Sequence, residues 1–131
     1  MAGYMELGKI TPDNLIGGHE IPLLTTKVTL LSGQGILKRG SVIGIISSSG
    51  SNQGKGKLCN KSSSDGSQVA KYILSQDVDT TSGDAPGIVY KTGIFNRNAL
   101  IWGSGDSATS THEDELRDVN IYLRDEYLVQ G

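Results

Sequence analysis

Glycine, lysine and serine gather in "GSNQGKGK", residues 50–57, where a phosphate loop is the first chemistry to consider. Such a loop needs G-x-x-x-x-G-K-S/T, because its backbone N–H groups wrap the phosphates and its hydroxyl holds magnesium. Here one spacer is missing, and Gly56 stands where the hydroxyl belongs. "GQGILKRG", residues 33–40, likewise fails the dinucleotide pattern. Both stretches read as turns. Asp77, Asp79 and Asp84 cluster carboxylates of the kind calcium favours. An EF-hand loop starting at Asp77 needs an acidic ligand at its twelfth position, and Ile88 is there, so a solvated loop is the better reading.

His19 and His112 are the two histidines, and Cys59 is the single cysteine. A metal site or a hydrolytic triad needs a fixed histidine with supporting groups. His19 falls in a stretch without periodicity, and His112 in the first turn of an expected surface helix. Cys59 has no histidine near it in sequence and reads as a small buried residue rather than a nucleophile. Glu113 and Glu115 read as helix-surface charges. No enzymatic activity, metal or cofactor is expected. Asn60-Lys61-Ser62 matches a glycosylation sequon but has no secretory signal to give it meaning.

The elements that would carry these residues are short. The chain has 131 residues, 36% of them hydrophobic and 5% aromatic, which suits one domain with a modest core. A core of that size is often supplemented by oligomerisation. Residues 1–20 show no regular period, with Pro12 and Gly17-Gly18 as breakers, yet Leu7, Ile10, Leu15 and Ile16 are apolar. This predicts a flexible arm that orders on a partner, ahead of a domain over 21–131. "IPLLTTKVTLLS" predicts a strand, "ILKRG" a short strand closed at Gly40, and "SVIGIIS" a buried strand with a bulge or close packing at Gly44. Lys38 and Arg39, at the corner between them, are expected to meet solvent or another subunit.

Residues 47–63 predict a long Ser/Gly/Lys hairpin tip with a short strand near Lys57–Asn60. "VAKYILSQDVDTT" predicts a strand through Val69, Tyr72 and Leu74. "IVYKTGIFN" predicts two strand segments about a bend at Thr92-Gly93, and "NRNAL" one helical turn. In "STHEDELRDVNIYLRDEYL", Leu116, Val119, Leu123 and Tyr127 recur at steps of three and four, which predicts a C-terminal helix. Ser110 and Glu113 fit a capping box at its start. The fold class is therefore mainly β, with short strands, one C-terminal helix and an N-terminal arm.

Net charge is −2, which argues against a direct nucleic-acid footprint. The charge is uneven. Residues 1–63 carry seven Lys/Arg against three Asp/Glu, and residues 103–131 carry two against seven. Opposite ends of this kind can attract between copies or simply face different solvent. No signal peptide and no run of roughly 18 apolar residues is present, so a cytoplasm and no membrane are expected.

"LKRGSVIG" looks like the glycine turn of biotinyl and lipoyl carrier domains, but the modified-lysine dipeptide of those domains is missing. A broader likeness runs through "VTLLSGQGILKRGSVIGII", then "SDGSQVAKYILSQDVDTTSGDAPGIVYKTGIFNRNALIWG", then the acidic helix. Together these segments resemble the head decoration protein D family of lambda-like tailed phages, over roughly residues 25 to 127. Asp65, Gly66, Ile73, Leu74, Tyr90, Gly93, Phe95 and Trp102 fill the family's pattern. The resemblance implies a β-clip-like barrel or sandwich and a virion structural protein of a phage or prophage. It implies homotrimers on the exterior of the expanded capsid, which clamp the shell against packaged DNA. It also implies an arm that pairs with the major capsid protein. Leu15, Ile16, His19, Ile21 and Pro22 are the candidate capsid contacts, and no residue is assigned to the trimer interface. The alternatives are a β-rich carrier or ligand-binding module of a host complex, and an enzyme of the trimeric β-clip kind, such as a nucleotide hydrolase. The second of these needs an acidic and aromatic pocket that the sequence does not display.

Overall fold

The computed structural model describes residues 15–18 and 21–125. In chain order the strands are β1 (Ile16–Gly18), β2 (Leu24–Leu30), β3 (Ile36–Leu37), β4 (Val42–Ile45), β5 (Gly56–Leu58), β6 (Tyr72–Leu74), β7 (Val78–Asp79) and β8 (Ala85–Asn96). A 3-10 turn at Arg97–Ala99, helix α1 (Ser110–Arg117) and strand β9 (Ile121–Arg124) complete the described chain.

Five strands close a barrel in the order β2-β5-β4-β6-β8, with β8 returning to β2. All its pairings are antiparallel except β2 with β5, which meet in parallel at Leu30 and Gly56. That seam is short, and Gln34 reinforces it. Its Nε2 donates to the Leu31 carbonyl (2.8 Å), and its Oε1 accepts from the Leu58 N–H (2.9 Å). β3 and β7 form a separate two-stranded ribbon.

The apolar run at 42–46 has a physical reason. Successive side chains of a strand point to opposite faces, and here both faces are buried. Ile43 and Leu74 join Leu30, Leu37, Val78 and Val89 in one core cluster. Their neighbours Val42 and Ile73 join a second, with Leu15, Cys59, Ala70, Phe95, Leu116 and Ile121. The first cluster fills the barrel. The second holds α1, β9 and the start of the described chain against it. Gly44 is required by close approach, since a Cβ there would lie 2.2 Å from the Ser67 carbonyl oxygen.

β8 is one strand of twelve residues that serves two sheets. Its first part pairs with β2 and β6, and its last four residues pair with β9. The change of partners falls at Gly93, whose φ of +146° is closed to most L side chains. The bend expected at Thr92-Gly93 is therefore present within a continuous strand. The helical turn expected at "NRNAL" is the 3-10 turn, capped by Asn96, whose side chain accepts from the Asn98 N–H.

The C-terminal helix is shorter than its periodicity predicts. It begins as the acidic first turn suggests, but Thr109 rather than Ser110 is the cap, and its Oγ1 accepts from the His112 N–H (3.2 Å). It ends at Arg117. Asn120 then takes a left-handed conformation, φ +67°, and the chain continues as β9 alongside β8. Leu116 and Ile121 are buried and Val119 and Leu123 half-buried, so the apolar spacing is used for burial, divided between a helix and a strand. Tyr127 lies outside the described residues.

Candidate functional site

Chain segments far apart in sequence meet at two places. The first is the edge of the sheet formed by β1, the end of β8 and β9. Ile16 pairs with Phe95 and Gly18 with Ile94, with a register irregularity between them. The Asn96 N–H donates to the Leu15 carbonyl at 2.7 Å. Further along, Thr92 Oγ1 donates to the Pro22 carbonyl (2.6 Å) and accepts from the Leu24 N–H (3.1 Å). The chain from 15 to 24 is thus tied to β8 at both ends. Among the described residues β1 has a strand neighbour on one side only.

Of the five candidate contacts, Leu15 is buried in the core, 3% exposed. Ile16 and Ile21 are half-buried, and Pro22 is exposed. His19 lies outside the described residues. β1 and the core side chain of Leu15 thus lie within residues 1–20, the segment expected to form the arm.

The second place is a buried polar network around His112. The expected setting of this residue, an exposed helix surface, is corrected by the structure: its side chain is 4% exposed. Nε2 lies 2.8 Å from Asp106 Oδ2, and Nδ1 lies 2.7 Å from Glu115 Oε1. Trp102 stacks on the ring with centroids 4.7 Å apart. Both carboxylates are anchored in turn. Asp106 accepts from the Lys61 and Ser107 N–H groups, each at 2.8 Å, and Glu115 accepts from the Ala70 N–H at 2.9 Å. Burial opposes the charge on Asp106, but the bonds from Ser107, His112 and Lys61 together hold its carboxyl below the ordinary value. Glu115 is accordingly not a plain surface charge.

Cys59 joins the group from the end of β5. Burial, then the charges of Asp106 and Glu115, push its thiol up to about 12. A nucleophilic cysteine needs the opposite environment, one that favours the thiolate. The surroundings of Cys59 thus favour the thiol over the thiolate.

A family model, bacteriophage lambda head decoration protein D, matches residues 5–121. The chain belongs to that family. No curated protein matches it. It is accordingly a phage head decoration protein, of a structural family located on the virion capsid. The match takes in most of the expected arm as well as the barrel.

The remaining motifs of this head decoration protein serve structure. "GSNQGKGK" runs into β5 rather than a helix, so it lacks the helix N-terminus of a phosphate loop. Its lysines are paired, Lys55 with Asp84 at 2.6 Å and Lys57 with Asp65 at 3.1 Å. Asp77 accepts from the Arg39 N–H, Asp79 from the Thr81 N–H and Asp84 from the Ser32 N–H, so the three carboxylates serve separate turns. Lys38 is exposed, as expected. Arg39 is half-buried, and its Nη1 donates to the Ser75 carbonyl (2.9 Å) and Tyr90 Oη (3.0 Å). Among the described residues no helix is long and apolar enough to cross a membrane.

The His112 network was out of reach of sequence reading because its members come from residues 59, 106, 112 and 115. One local signal was available. His112 and Glu115 are three apart on a helix, a spacing that places both on one face.

Proposed function

We propose that this head decoration protein binds the expanded phage head as homotrimers and clamps neighbouring subunits of the major capsid protein against the pressure of packaged DNA. The observation that carries the reading is the family match over residues 5–121, which includes most of the segment before the barrel. Residues ahead of Leu15, with Ile16, His19, Ile21 and Pro22, form the capsid contact. Leu15 anchors the root of this arm from inside the core. Strand addition suits the open side of β1, because main-chain hydrogen bonds supply affinity while alternate side chains set register. Leu24, Ile36, Val69, Ile88 and Ile101 are each more than a third exposed, which supplies apolar surface for neighbours on the shell. Many copies on one shell turn modest contacts into large total stabilisation. Before assembly the protein resides in the host cytoplasm.

The test is co-sedimentation with expanded, undecorated capsids, with unexpanded procapsids alongside. Saturable binding to the expanded shell alone is expected. Binding to neither, well above micromolar concentration, would sink the proposal. Deleting residues 1–14 should abolish shell binding and leave the melting temperature nearly unchanged. Full binding by the truncated protein would remove the arm from the mechanism.

A further inference from the structure

The geometry points to Cys59, Asp106 and His112 as a binding site for a divalent cation of the zinc class. The three side chains come from the end of β5, from the loop before α1 and from α1 itself. One ligand atom from each lies within 4.8 Å of the others. Cys59 is fully buried, and the side chains of Asp106 and His112 are 0% and 4% exposed. Sulfur, imidazole nitrogen and carboxylate oxygen together suit zinc or cobalt, whereas calcium and magnesium require an all-oxygen set.

The three atoms come within reach of one ion once the side chains adjust. Zinc bonds of about 2.0–2.3 Å in tetrahedral geometry separate ligand atoms by roughly 3.3–3.6 Å. The Nε2 to Oδ2 distance of 2.8 Å must therefore open by roughly half an ångström. The surroundings match those of a metal-ligating histidine, whose second ring nitrogen donates to a carboxylate. Glu115 takes that place on Nδ1, is held by the Ala70 N–H, and leaves Nε2 facing Asp106. The Trp102 stack fixes the plane of the ring.

A zinc-class ion takes the thiolate of Cys59 and the lone pair of a ring nitrogen, so any proton on these atoms leaves as the ion enters. Lys61, Gln68, Thr109 and Thr111 line a cavity of about 360 Å³ together with His112 and Glu115, beside the cluster on the His112 side. Bound metal would staple α1 and the loop before it to the barrel. This inference stands on the side chains alone and does not depend on how the protein meets the capsid.

The test uses the full chain refolded with zinc, dialysed and assayed for metal, and a parallel sample refolded with cobalt. About one zinc per chain and a thiolate-to-cobalt charge-transfer band are expected. Cys59→Ser should remove the band and weaken zinc binding at least tenfold. Glu115→Gln should weaken it by about 10–100-fold, as loss of a supporting carboxylate does elsewhere. Wild-type protein that retains no stoichiometric zinc, or binds cobalt without the band, overturns the proposal. So does Cys59→Ser with undiminished affinity. If that variant does not fold, the wild-type cobalt spectrum decides alone.

Discussion

Asp65 occupies a turn where one carboxylate serves several donors. Ser67 donates to Oδ1 from both its hydroxyl (2.6 Å) and its N–H (3.1 Å), and Lys57 lies 3.1 Å from Oδ2. The Ser67 hydroxyl bond is the largest influence, and with the Ser67 N–H and Lys57 it brings the Asp65 carboxyl down to about 2. The folded value lies below the unfolded one, so as pH falls the unfolded chain takes up the proton first. The contribution of Asp65 is complete above about pH 4 and is lost progressively down to about pH 2. Urea unfolding midpoints followed from pH 5 to pH 2 should fall more steeply in wild-type protein than in Asp65→Asn. Parallel curves would show that the turn gains nothing from the charge.

At the scale of elements, the passage from α1 to β9 turns on Asn120. Its φ of +67° is costly for residues with a Cβ, and asparagine tolerates it better than most. Its carbonyl accepts from the Gly93 N–H at 3.2 Å, next to the point where β8 changes partners. Asn120→Gly should be neutral or slightly stabilising in chemical denaturation, whereas Asn120→Val should cost about 1–2 kcal/mol. Equal stability of the two would mean that backbone strain at 120 does not control the junction. The same junction explains the overextended helix reading. Leu116, Val119 and Leu123 keep helical spacing by number, but Ile121 to Arg124 find hydrogen-bond partners on β8, between Gly93 and Asn96. Local periodicity carries no information about a strand nearly thirty residues away. Local rules suffice for the start of α1 and the bend at Gly93; at Gly44 the structure takes close packing over a bulge, and the cap of α1 falls on Thr109 rather than Ser110.

For the whole molecule, the barrel closes through its weakest pairing. β2 and β5 share one register pair, and the side chain of Gln34 spans them from outside both strands. Gln34→Ala would leave the partly buried Leu58 N–H without its acceptor, a loss of about 1–3 kcal/mol. The measurement is equilibrium unfolding, with hydrogen exchange at Leu58 as the local reporter. Unchanged protection there would show that the seam does not rely on Gln34. Closure also bears on the arm. Leu15 belongs to the same core cluster as Phe95, Leu116 and Ile121, so the folded body extends into what composition marks as a tail.

The amino-acid sequence by itself determined that the chain is a β-rich structural protein of the head decoration family. Its short apolar runs, glycine corners and ordered family pattern are local or collinear properties, readable without knowing what packs on what. Only the tertiary structure decided that Leu15 is core, that the second half of the apparent helix is a strand, and that His112 sits buried between Asp106 and Glu115 beside Cys59. Each of these depends on contacts between segments far apart in the chain. Burial, strand pairing and the partners of a histidine ring are set by such neighbours, and no spacing along the sequence encodes them.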